Sequence, residues 1–214
     1  MSRTGEPAAI AIGITGASGA QYGLRLCEVL LRAGQPVYLM VSKAALMVTA
    51  LETDQPLPAK PEAIKAELES RWAVGSGLLK VFGREDWTAP VASGSGHWRA
   101  LVVCPCSTGT LSAVATGASN NLIERCADVG LKERRPVILV VRESPYSRVH
   151  LQNMLHATDA GAMVLPASPG FYHKPQTVED MIDFIVARIL NVLEIPQDML
   201  PAWGAEDGGQ KAEH

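Results

Sequence analysis

The chain has 214 residues, 47% hydrophobic and 19% charged, with a formal net charge of −3. This is ordinary globular composition and enough chain for one substantial core. The charge balance gives no basic surface for nucleic acid or an anionic membrane, and no apolar run reaches the roughly 18 residues that cross a bilayer.

Glu6 and Pro7 precede the first apolar stretch and a glycine loop follows it, so the N-terminal segment reads as a strand rather than a leader. Apolar runs at 8–14, 36–41, 101–104, 137–141 and 162–165 are rich in Val, Ile and Leu and mostly lack in/out alternation, which suits strands buried on both faces of a parallel sheet. Helical spacing fills the intervals at 20–33, 43–51, 61–72, 108–116, 122–133 and 147–160, and a last helix at 178–193 has an apolar face of Met181, Ile182, Ile185, Ile189 and Val192. The βαβα order predicts a three-layer α/β fold with a doubly wound parallel sheet, Rossmann-like, in a single domain over 1–203. The polar tail at 204–214 is expected to be disordered, and a cytoplasmic location is expected. Cys27, Cys104, Cys106 and Cys126 show neither a disulfide framework nor zinc-ligand spacing, so buried reduced thiols are expected.

Ligands of such sheets sit beyond the carboxyl ends of the strands. After the first strand, Gly13-Ile-Thr-Gly16-Ala-Ser18-Gly19 feeds a helix and offers backbone N–H groups to an anion, or simply makes a tight turn with Ser18 as N-cap. After the second strand stands Ser42-Lys43, where a dinucleotide fold usually has an acid for the ribose, which disfavours an NAD-dependent reductase. Ser107-Thr108-Gly109-Thr110 opens another helix, as an anion- or carbonyl-binding loop or as a plain cap, and Arg142-Glu143 follows the 137–141 strand. Small hydroxylic and glycine residues at three strand ends and Arg-Glu at another describe a mononucleotide cradle with acid–base groups beside it.

The segments T-G-A-S-G-A-Q-Y-G-L-R, C-P-C-S-T-G-T-L-S-A-V-A-T-G, N-N-L-I-E-R, L-K-E-R-R-P and P-G-F-Y-H-K-P resemble those of the bacterial flavin prenyltransferases of UbiX type, from about residue 10 to residue 203. The resemblance implies a flavoprotein fold and FMN contacts from Gly16, Ala17, Ser18, Ser42, Ser107, Thr108, Gly109, Thr110 and Arg142. It implies allylic-phosphate contacts from Lys132, Tyr172 and Arg188, with Ser18 close by. Glu52, Trp87, Arg125 and Glu143 match the remaining active-site positions, Arg125 on the flavin side. It also implies dimethylallyl monophosphate as donor, prenylated FMN as product for a UbiD-type decarboxylase, and a homo-oligomer, a dodecamer, with sites at subunit interfaces.

These residue types suit that chemistry. Lys132, Arg188 and Tyr172 can gather charge on a departing phosphate, and Trp87 can face a cation-like allylic carbon. Bonds from N5 and C6 of reduced FMN to the five-carbon unit require loss of a ring proton, which falls to Glu143 with Glu52 assisting. Glu179-Asp180-x-x-Asp183 looks like a magnesium cluster but sits where acids favour a helix N-terminus, so no metal is expected. Two rivals stand beside this reading: a non-catalytic FMN carrier, and a flavin-dependent decarboxylase of cysteinyl substrates. The second needs a P-x-M-N-x-x-M-W segment where this chain reads P-A-S-P-G-F-Y-H.

Overall fold

Apolar runs become strands of one parallel sheet. In the computed structural model, which describes residues 7–75 and 77–201, these are β1 Ala9–Ile14, β2 Val37–Val41, β3 Leu79–Phe82, β4 Trp98–Cys106, β5 Val137–Val141 and β6 Met163–Pro166. The order is β3-β2-β1-β4-β5-β6, with every neighbouring pair parallel. The helices are α1 Ala20–Arg32, α2 Lys43–Glu52, α3 Pro61–Trp72, α4 Thr108–Thr116, α5 Leu122–Lys132, α6 Arg148–Asp159 and α7 Val178–Val192. The expected doubly wound α/β fold is therefore present. The tail expected to be disordered lies outside the described residues.

The chain divides into two compact units, Met1–Ser168 and Pro169–His214. The sheet belongs to the first. Every residue of β1 and of β5 is buried, as strands covered on both faces must be. On one face lies α1, whose Gly23 approaches β4 so closely that a Cβ there would stand 2.1 Å from the Cys104 carbonyl oxygen. On the other lies α5, with Ile123 against Gly13 and Gly130 against Val137. That second face holds a continuous core in which Ala11, Met40, Leu101, Val103 and Leu139 of the sheet meet Leu111 of α4 and Leu122, Ile123 and Cys126 of α5. Each fully buried Leu or Ile contributes about 1.5–3 kcal/mol. Leu111, Leu122 and Ile123 lie in the first turns of their helices, so core packing fixes where α4 and α5 begin.

Two strands differ from expectation. β3 went unnoticed in the sequence because it is short, lies at the sheet edge and interrupts its apolar pattern with exposed Lys80. β4 extends beyond the expected 101–104 in both directions, passing through Pro105. A proline in a central strand lacks a ladder donor, and the β4–β5 register shifts between Val103 and Cys106, where that loss is absorbed.

The second unit is organised around α7. Thr177 Oγ1 accepts the Asp180 N–H at 3.1 Å, and Asp180 Oδ2 accepts the Thr177 and Gln176 N–H groups at 3.0 and 2.7 Å. Those backbone donors hold the Asp180 carboxyl below its ordinary pKa. Gly170 lets the preceding loop approach Phe184, and Tyr172, His173 and Phe184 form a three-ring cluster with centroids 5.2–5.7 Å apart.

All four cysteines are buried and free. Burial pushes each thiol pKa up, that of Cys106 to about 12. A raised folded pKa contributes stability that is whole below the unfolded value of about 8.5. It is lost as pH climbs toward the folded value, because the unfolded chain sheds protons first. The urea midpoint is expected to fall between pH 8.5 and 10, and native protein at pH 8 is expected to resist a thiol reagent that labels all four cysteines after unfolding; rapid native labelling would contradict the packing. A second test is Gly23→Ala, which must push α1 off β4 and is expected to cost about 1–3 kcal/mol in urea unfolding. An unchanged midpoint would show that the helix does not pack this closely.

Candidate active site

The chain leaves β1 toward β2 on one side and returns to β4 on the other, so the carboxyl ends of β1 and β4 form the topological switch point of the sheet. A cavity of about 530 Å³ opens there. Its walls are the first turns of three helices: Ser42, Lys43 and Ala44 of α2, Ser107, Gly109 and Thr110 of α4, and Asn121 to Glu124 of α5. Thr15 and Gly16 line it after β1, Met40, Phe82 and Ile123 give it apolar surface, and Arg84 stands at the loop after β3.

Each helix is capped by its own residue. Ser42 Oγ accepts the Ala45 N–H at 3.1 Å, Ser107 Oγ accepts that of Thr110 at 3.3 Å, and Asn121 Oδ1 accepts that of Glu124 at 3.1 Å. Capping uses one of the four N–H groups a helix start leaves free, and the rest carry the positive end of the helix dipole. Three such ends around one cavity make a setting for an anion and for carbonyl acceptors. By contrast α1 begins at Gly19 with φ 93° and no side-chain cap, so Ser18 is not its N-cap. The Gly19 N–H instead donates to Glu52 Oε2 at 2.8 Å.

Of the residues singled out from sequence, Gly16, Ser42, Ser107, Gly109 and Thr110 line the cavity. Ala17 is buried within the loop after β1, Ser18 is exposed beside it, and Thr108 is half-buried in the first turn of α4. Arg142 Nε donates to the Ser18 carbonyl at 3.3 Å. That contact and the Glu52 bond to Gly19 gather Glu52, Arg142 and the β1–α1 loop together. Glu143 follows Arg142 and accepts the Ser144 N–H at 2.9 Å. Arg125 turns elsewhere, donating to the Ala92 carbonyl at 3.2 Å and pairing with Asp128 at 2.6 Å. Trp87 is 48% exposed in the loop after β3. Lys132 pairs with Glu133 at the far end of α5 from the cavity, roughly 15 Å from Leu122 at 1.5 Å per residue. Tyr172 and Arg188, both exposed, belong to the second unit. There Tyr172 borders a separate hollow of about 600 Å³ with Lys174, Asp180 and Asp183.

Sequence reasoning missed Thr15, Lys43, Arg84, Asn121 and Glu124 as cavity residues. Glu124 had a legible signal, the Asn-x-x-Glu pattern of a helix start. The residue is 9% exposed, and both of its carboxylate oxygens are engaged. Oε2 accepts the Asn120 backbone and side-chain N–H groups at 2.8 and 3.1 Å, and Oε1 accepts the Asn121 side chain at 2.7 Å.

The cavity fits a flavin. A Cβ added at Gly109 would meet nothing within 4 Å, so the α4 backbone is open to a ligand there. The apolar surface suits a planar ring, and the helix starts suit its polar atoms and phosphate.

A site at the switch point with three helix N-termini defines a mononucleotide-binding α/β protein, and comparisons with known proteins narrow the class. Residues 1–190 match the Flavoprotein family. Flavin prenyltransferase UbiX of Pseudomonas aeruginosa is 60% identical over 200 residues, covering 94% of this chain and 96% of that protein. The crystal structure of AnUbiX in complex with FMN and dimethylallyl pyrophosphate aligns with a TM-score of 0.82 at 36% identity, over 94% of this chain and all of that one. The dodecameric FMN-dependent UbiX-like decarboxylase of Escherichia coli O157:H7 aligns with a TM-score of 0.76 at 34% identity, over 87% of this chain and 95% of that one. The chain belongs to the flavoprotein family and, within it, to the flavin prenyltransferases of UbiX type.

Removing the Glu124 carboxylate strands three donors at the start of α5. Glu124→Ala is expected to lower stability by about 1–3 kcal/mol and to weaken FMN binding, with Glu124→Gln intermediate. Fluorescence titration and urea unfolding read both, and wild-type values for the alanine variant would show that the network does not hold the cavity wall.

Proposed function

We propose that the chain is a flavin prenyltransferase that moves a dimethylallyl group from dimethylallyl monophosphate to N5 and C6 of reduced FMN, releasing phosphate. The observation that carries this reading is the cavity at the β1/β4 switch point, walled by three helix starts, in a chain 60% identical to a flavin prenyltransferase. Reduced FMN supplies the two nucleophilic ring atoms when bound.

The chain's own residues hold the reactants and move charge. Gly16, Ala17, Ser18, Ser42 and the Ser107–Thr110 turn are proposed to hold FMN through backbone N–H and hydroxyl groups, with Arg142 and Arg125 adding positive charge. Lys132, Tyr172, Arg188 and Ser18 are proposed to bind the donor phosphate. They neutralise the charge it gains as the C–O bond breaks. Trp87 faces the allylic carbon, an attraction worth up to about 2 kcal/mol when water is excluded. Glu143 accepts the proton lost from C6, and Glu52 orients the loop beside it through the Gly19 N–H. Because α5 carries Lys132 away from the cavity of its own copy, the lysine is proposed to serve a neighbouring copy in a homo-oligomer, which supports sites shared between subunits. A dodecamer, a UbiD-type decarboxylase as recipient of the product and a cytoplasmic location complete the proposal; among the described residues no helix is long and apolar enough to cross a membrane.

No metal is proposed to take part. Asp180, the centre of the acidic sequence cluster, is committed to capping α7.

The test is anaerobic incubation with reduced FMN and dimethylallyl monophosphate, followed by mass spectrometry of the extracted flavin. A gain of one five-carbon unit, undiminished by a chelator, is expected, and unmodified flavin despite proven FMN binding would overturn the assignment. Glu143→Gln is expected to slow product formation roughly 10²-fold or more; full-rate ring closure in that variant would remove Glu143 from the proton step.

A further inference from the structure

We infer that Thr15 is a positioning residue for flavin binding: its buried hydroxyl ties the end of β1 to the start of α4 and decides which N–H groups face the cavity. The inference rests on the flavin reading of that cavity.

Thr15 is 2% exposed, one of few buried polar side chains. A buried hydroxyl needs partners, and this one has two, both about 90 residues away in the chain. Oγ1 donates to the Pro105 carbonyl at 2.7 Å and accepts the Ser107 N–H at 2.8 Å. The Thr15 N–H also donates to the Pro105 carbonyl, at 3.3 Å. Backbone pairing makes only this one bond of the join. Pro105 has no N–H to offer, and the β4–β5 register is broken at the same point. The β1–β4 pairs end at Gly13 and Val103. Beyond them the Thr15 side chain continues the attachment.

The consequence reaches the donors of α4. Its first turn offers the N–H groups of Ser107, Thr108, Gly109 and Thr110. Thr15 takes that of Ser107, and the Ser107 hydroxyl takes that of Thr110. Thr108 and Gly109 are left as the donors for a ligand, at the place where a Cβ on Gly109 would meet open space. The next residue, Gly16, is wedged against α2, where a Cβ would lie 2.5 Å from that of Ala44. Thr15 thus sets the spacing between the Gly16 wall and the α4 wall while lining the cavity itself. It carries no charge and has no spare role in proton transfer, so its effect falls on binding and not on the chemical step.

The substitution Thr15→Val keeps the branched shape and removes only the hydroxyl. It is expected to raise the FMN Kd and the KM for reduced FMN about tenfold, by leaving the Ser107 N–H and Pro105 carbonyl short of a partner. The kcat at saturating flavin is expected to stay within about twofold of wild type. Thr15→Ser, which restores the hydroxyl, is expected to return both constants to near wild type. Should the valine variant not fold, Thr15→Ala gives the same comparison against Thr15→Ser. Wild-type FMN affinity without the hydroxyl, equal loss in the serine variant, or a fall in kcat with unchanged KM would each overturn the inference. Gly109→Val separates it from the reading on which it rests. If added bulk at Gly109 leaves FMN binding intact, the cavity is not the flavin site. If Gly109→Val blocks binding and Thr15→Val does not, the role of Thr15 alone falls.

Discussion

The place where β1 and β4 lie side by side but their connections depart in opposite directions governs the rest of the molecule. Neither crossover covers the gap above these two strands, so the sheet leaves a hollow at its carboxyl edge. What fills the rim is decided by packing below it. Leu111, Leu122 and Ile123 are drawn into the core against the sheet, and that places the first turns of α4 and α5 at the hollow. The Ser42 turn of α2 completes it. Site geometry here is a by-product of burying leucine and isoleucine.

The polar groups at that rim are mostly committed to one another. Ser42, Ser107 and Asn121 cap their helices, Thr15 bridges two loops, and Glu124 gathers Asn120 and Asn121. Such commitment keeps the remaining N–H groups fixed in direction before a ligand arrives, so little ordering is needed on binding. A hydroxyl that caps a helix and a hydroxyl that lines a cavity are therefore not competing descriptions of Ser42 or Ser107; they are both.

The sequence was most informative where pattern and burial agree. The runs forming β1, β2 and β5 are apolar throughout because both sheet faces are covered, and the seven helices follow from their spacing and caps. β3 was illegible because an edge strand of four residues with one lysine has too little pattern. The ends of β4 were misjudged because Pro105 ordinarily stops a strand. At the site, glycine and hydroxyl residues after the strands could be read, since they follow a positional rule. Thr15 could not, because its partners lie about 90 residues along the chain, and the Asn-x-x-Glu spacing marks Glu124 only as part of a helix start, not as a wall of the cavity. Lys132 and Arg125 show the opposite limit: resemblance marks them, while within one copy Lys132 stands at the distal end of α5 and Arg125 is engaged with Ala92 and Asp128.

The most direct test of the central claim, that flavin occupies the β1/β4 switch point, is amide hydrogen exchange with and without FMN. Slower exchange confined to the peptides around 13–19, 41–45, 107–112 and 120–125 is the expected result, since these carry the helix starts and the glycine loop. Protection elsewhere with none at those four segments would place the flavin in another part of the molecule and contradict the site.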